Sequence, residues 1–223
     1  MTVASVVGPP WARPLPWVLP FAVFVGLLAA APLAQRAGVD PRDWYAVRTG
    51  VTLLVLAVMW RRCVDLHRAP YWRGVALGVA AGGLVLALWL ALDQDWASLG
   101  APQVSPFAAD DTARWQFAAR IAGAVIVAPL AEELFFRSFL MRWLVRPDFA
   151  AVDPRAVDRR AFLIQAALFA SMHQLIVAGF AAGLVYGWLY RHTGSLWIPV
   201  LAHALTNALL AAWVLTQGAW HLW

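Results

Sequence analysis

The chain has 223 residues, of which 62% are hydrophobic and 13% charged, at a mean hydropathy of +0.67. That balance excludes an ordinary soluble domain, where about half the residues are apolar and about a quarter charged, and fits a polytopic membrane protein. The formal charge of +5 comes from seventeen arginines without one lysine, gathered in connecting segments, so it marks membrane orientation and not a nucleic-acid surface.

In chain order, the Pro-rich start Gly8-Pro9-Pro10 precedes the first apolar run without a convincing cleavage site, so the first span is expected to remain in the mature protein. Apolar runs then fall at Trp17 to Leu33, Tyr45 to Trp60, Gly74 to Leu92, Trp115 to Val145, Ala161 to Ala178, Gly179 to Tyr190 and Ser195 to Thr216. They predict an all-α, polytopic transmembrane bundle of about seven to eight helices in one domain over residues 1–223. The second and sixth runs are short for a span of about 20 residues and are expected to be tilted, interrupted or re-entrant. Arg61, Arg62, Arg68 and Arg73 place one connector in the cytoplasm, and Arg142, Arg146, Arg155, Arg159 and Arg160 a second. Asp93, Asp95, Asp110 and Asp111 fit the opposite side, which puts the N-terminus inside and the C-terminus outside. Tryptophans near the run ends, Trp17, Trp72, Trp96 and Trp115 among them, are expected at headgroup level. Gly179, Gly183 and Gly187 recur every fourth residue and predict close packing against a neighbouring helix. The lone Cys63 can form no internal disulfide.

The chemistry-bearing residues lie within 115–216. Glu132 and Glu133, the two glutamates of the chain, sit inside an apolar stretch, where ionisable groups usually mark a pathway or a reaction site. Arg137 follows Glu133 by one helical turn and is expected to pair with it, which leaves Glu132 free. His173 lies deep in another apolar run, and His203 and Asn207 share one face of a third. Counting about 1.5 Å per residue from the cytoplasmic ends puts Glu132, His173 and Asn207 about 18 to 20 Å deep and His203 about 12 Å deep. Each group has a plainer explanation alone: interhelical hydrogen bonding for the histidines and Asn207, a structural ion pair for Glu133 with Arg137. Together they supply what water activation requires, a base, a second water ligand and oxyanion donors. His67, His192 and His221 are assigned no catalytic role.

The order Glu-Glu-x-x-x-Arg, Phe-x-x-x-His and His-x-x-x-Asn, here Glu132-Glu133 with Arg137, Phe169 with His173 and His203 with Asn207, resembles the CPBP family of CAAX-type proteases and bacteriocin-processing enzymes. The family's arginine is often followed by glycine; here the next residue is Ser138. The segments from Phe135 to Trp143 and from Arg191 to Trp197 also look like a CAAX prenyl protease-related branch associated with exosortase systems.

The resemblance and the chemistry together imply peptide-bond hydrolysis inside the membrane. Glu132 takes a proton from a water shared with His173, His203 and Asn207 donate to the oxyanion, and Glu133 and Arg137 fix the helix and the orientation of Glu132. No cofactor is favoured; a zinc ion held by Glu132, His173 and His203 is the alternative, although the soluble zinc-protease signature His-Glu-x-x-His is missing. A proton-coupled carrier and a non-catalytic scaffold or immunity protein are two further readings. The expected partners are the lipid bilayer and membrane-anchored protein or peptide substrates cut near the cytoplasmic side, in a bacterial inner membrane, with no nucleic acid.

Overall fold

A computed structural model describes residues 14–100, 105–108 and 111–223. Asp110 and the Pro-rich start Gly8-Pro9-Pro10 lie outside the described residues. Seven helical rods account for these segments: α1 (Leu15–Arg36), α2 (Pro41–Met59), α3 (Trp72–Ala91), α4 (residues 114–143), α5 (Arg159–Ala170), α6 (Ile176–Thr193) and α7 (Trp197–Gln217). Three of them, α1, α3 and α7, are long and apolar enough to cross a membrane by length and composition alone. The protein is an all-α membrane bundle.

α4 is the central rod and touches α1, α2 and α7; α3 packs along α7 and α6, and α5 pairs with α6. Small residues set the closest crossings. A Cβ on Gly183 would stand 2.9 Å from the Ala166 Cα, and one on Gly82 would stand 2.8 Å from the Ala202 carbonyl oxygen. The first contact is the packing expected of the Gly179, Gly183 and Gly187 stripe. The second belongs to Gly74, Gly78 and Gly82 of α3, a further stripe with the same four-residue period.

Two helix boundaries differ from the expectation. The second span is full length, because Asp40 caps it by accepting from the Arg42 N–H and Pro41 occupies the first position. Its polar first turn, with Arg42 and Asp43, is what hid it from hydropathy. Arg42 also binds Asp40 and Asp111 at 2.6 Å each and holds both carboxyls below the usual carboxylate range. The short helix is the fifth, not the sixth. α5 stops at Ala170, where the Ser171 hydroxyl donates back to the Leu168 carbonyl, and a five-residue turn precedes α6. His173 therefore sits on that turn and not within a helix. At the other end of α6, Gly194 takes the left-handed conformation (φ 69°) that ends the helix, and Arg155 donates to the neighbouring Thr193 carbonyl.

The arginine-rich connectors close one face of the bundle. A buried cluster that includes Trp17, Cys63, Leu66, Phe149, Val152 and Leu196 fills the space beneath them. Trp17 is 7% exposed and donates to Asp65, so it is a core residue and not a headgroup anchor. Arg142 is not a surface marker either: it is 4% exposed and pairs with Asp65 at 2.8 Å, while Ser138 donates to the same oxygen. Trp72 and Trp96, by contrast, are 74% and 72% exposed, as headgroup anchors require.

Candidate active site

Glu132 stands on α4 between two π turns, Gly123–Val127 and Leu134–Leu140. Pro129 lacks the N–H that a regular helix would use to reach back four residues, and a wider turn before it accommodates the loss. The register slip places consecutive glutamates in different surroundings. Glu133 is fully buried; its Oε1 forms an ion pair with Arg137 Nη1 at 3.0 Å and accepts a hydrogen bond from His203 Nδ1 at 2.9 Å. Glu132 faces a cavity, and its Oε2 has no hydrogen-bond partner among the described residues.

That cavity, about 170 Å³, is walled by Glu132, His173, His203 and Asn207 together, so α4, the α5–α6 turn and α7 deliver all four residues to one space. His173 Nδ1 contacts the Phe169 carbonyl at 2.8 Å, a geometry in which Nδ1 donates and Nε2 keeps its lone pair. The ring is held edge-on to Trp89 and lies 4.6 Å from the Phe169 ring centroid. The Asn207 amide donates to the Ala124 carbonyl in the first π turn at 2.8 Å, which fixes the side chain and leaves its second N–H for the cavity. His203 stacks on Tyr186, whose hydroxyl donates to Thr206; both neighbours line the cavity and carry no motif that marks them in the sequence.

One assignment gains a condition. Sequence spacing gives Glu133 only to Arg137, and His203 is expected as an oxyanion donor. With His203 Nδ1–H donating to Glu133, a neutral ring presents Nε2 as an acceptor. Donation from Nε2 calls for the doubly protonated ring, with Glu133 as its counter-ion. The guanidinium of Arg137 is itself fully buried and lies 4.2 Å from the Phe169 ring centroid.

Among the described residues, no group of three His, Cys, Asp or Glu side chains is placed to hold a metal ion. Glu132, His173 and His203 share the cavity without forming such a set, and the amide nitrogen of Asn207 is engaged with backbone. His67, His192 and His221 lie elsewhere, on the Trp60 carbonyl, against Trp188 and on Asp93 respectively.

The cavity sits in the half of the bundle away from the arginine-rich connectors. Its walls include the first third of α2, the last turn of α3, the α5–α6 turn and the segment after α7, all of which lie at the opposite face. From the sequence, cleavage is expected near the arginine-rich side, whereas the cavity lies toward the other face.

Residues 114–209 match the family model described as Type II CAAX prenyl endopeptidase Rce1-like. Over these residues the chain is similar to the CPBP family. The CPBP match runs from the first residue of α4 into α7 and takes in Glu132, Glu133, Arg137, His173, His203 and Asn207. The match implies a CAAX-type intramembrane endopeptidase activity. No curated protein and no solved structure matches the chain. α1 to α3 fall outside the CPBP match, yet they bring Phe24, Tyr45, Arg48 and Trp89 to the same cavity.

Proposed function

We propose that the protein is an intramembrane endopeptidase that hydrolyses peptide bonds near the ends of membrane-associated protein tails with a glutamate-activated water. The observation that carries this reading is the meeting of Glu132, His173, His203 and Asn207 in one cavity. Glu132 Oε2, without a protein partner, takes a proton from a water also held by His173 Nε2. The hydroxide adds to the peptide carbonyl carbon, and the charge passes to the carbonyl oxygen, where the free amide N–H of Asn207 and protonated His203 donate. Collapse breaks the carbon–nitrogen bond, and the leaving amine takes the proton from Glu132. Glu133 and Arg137 do not touch substrate in this scheme; they hold His203 and the α4 backbone.

The chain resides in a bacterial inner membrane with its N-terminus in the cytoplasm, an orientation supported by Arg61, Arg62, Arg146 and Arg155 at one face and Asp93, Asp95 and Asp111 at the other. In that orientation the cavity serves the non-cytoplasmic side, while the Trp17, Phe149 and Leu196 cluster closes the cytoplasmic half.

The deciding experiment compares purified wild type with Glu132→Gln on a quenched membrane-peptide library, with and without a zinc chelator. Cleavage lost in the variant and indifferent to chelation is the expected result. Equal cleavage by both proteins removes Glu132 as the base. Chelator sensitivity reversed by added zinc replaces the water-only chemistry with a metal site.

A further inference from the structure

Two arginines stand in the wall of the same cavity without an ion pair among the described residues. Arg48, on α2, is 7% exposed; its guanidinium lies 4.4 Å from the Tyr45 ring centroid and 4.6 Å from that of Phe24, and its Nε has no hydrogen-bond partner. Arg120, two turns into α4, lies 4.6 Å from the same Tyr45 ring and 4.7 Å from Trp223, and its Nη1 donates to the Tyr45 hydroxyl at 2.8 Å. Its Nε is also buried and unpartnered. Among the described residues neither guanidinium forms an ion pair. Two cations around one phenol ring, at membrane depth and with no ion pair among the described residues, are costly even with Glu132 of the same cavity acting on Arg48; the other buried arginines, Arg137 and Arg142, are each paired. A headgroup-seeking arginine would point to lipid; these line the cavity that holds Glu132.

We propose that Arg48 and Arg120 form a carboxylate-binding subsite that holds the free C-terminal carboxylate of a peptide substrate and so sets which bond reaches Glu132. This rests on the endopeptidase reading. Guanidinium groups match carboxylates in bidentate geometry, and a terminal carboxylate is the anion a tail presents whatever its side chains. The rings of Phe24, Tyr45 and Trp223 give the last residues apolar neighbours. Arg120 and Glu132 are twelve positions apart on α4, about 18 Å along the axis, a gap that about five extended residues span. Cleavage is therefore expected within about five residues of the substrate's end.

The test uses a palmitoylated nonapeptide of apolar residues in three forms: free acid, terminal amide, and amide with a penultimate Glu. Binding is read on full-length Glu132→Gln and cleavage on wild type. The acid is expected to bind about 10- to 100-fold more tightly than the amide. Arg48→Gln and Arg120→Gln, each in the Glu132→Gln background, are expected to bring that ratio close to one, and Arg48→Lys to keep part of it. Equal binding of acid and amide overturns the proposal, as does a ratio that survives both glutamine variants. Recovery of tight binding by the penultimate Glu overturns the terminal carboxylate as the group recognised. Acid-selective binding that Arg48→Gln removes, in a wild type that cleaves none of the three, sustains the subsite and counts against the protease. Cleavage of acid and amide with equal KM sustains the protease and sinks the subsite.

Discussion

Glu133 meets two demands with one oxygen, since Oε1 pairs with the Arg137 charge and accepts from His203. Glu133→Gln would leave the Arg137 charge buried without its paired carboxylate, and the expected cost is about 3–5 kcal/mol, read as a lower thermal midpoint in detergent. A loss below about 1 kcal/mol would show that Phe169 and Tyr186 sustain the guanidinium without the carboxylate. Asn207 is different, because its free N–H faces the cavity. Asn207→Ala is expected to lower kcat about 100- to 1000-fold at nearly constant KM; a raised KM at full kcat would make Asn207 a binding group instead. The Glu133–Arg137 pair was legible from four-residue spacing. The His203–Glu133 bond was not, since those residues are 70 positions apart and meet only when α7 crosses α4.

Helix boundaries decided more of the site than helix count did. Hydropathy places the α5–α6 break after Ala178, whereas the turn at 171–175 ends α5 eight positions earlier and sets His173 on a loop. Backbone carbonyls accepting from Ser171 and His173 stop the helix there, and such local bonds leave no trace in an apolar average. The two π turns of α4 were equally hidden. The small-residue stripes, by contrast, follow a period that can be counted. Gly183→Val would drive a side chain into Ala166, and an expected loss of about 1–3 kcal/mol should appear as a lower unfolding midpoint and weaker cleavage, because the same helix pair carries His173. Gly50→Ala on α2, with nothing within 4 Å of the added Cβ, is the control and should be neutral or slightly stabilising. Equal damage from both would mean that the α5–α6 contact is not close.

For the whole bundle, the sharpest consequence is which side the cavity serves. Cys63 is 1% exposed, and burial, with Asp65 nearby, pushes its thiol up to about 12, so the native chain should be silent to thiol reagents. Single cysteines at exposed positions on the two faces then report orientation. In intact cells an impermeant maleimide is expected to label Asp95→Cys and to spare Arg146→Cys until the membrane is opened. The reverse pattern would turn the cavity toward the cytoplasm. Hydrophobicity and three short motifs were enough to read a helical membrane bundle and its family resemblance, because partition into lipid depends on composition along the chain. Which groups meet is another matter. The bond of His203 to Glu133, the withdrawal of Arg142 to Asp65, and the entry of Arg48 into the cavity that holds Glu132 join residues 70 to 84 positions apart. Those contacts exist because packed helices bring distant turns to one depth, and no local pattern encodes that meeting.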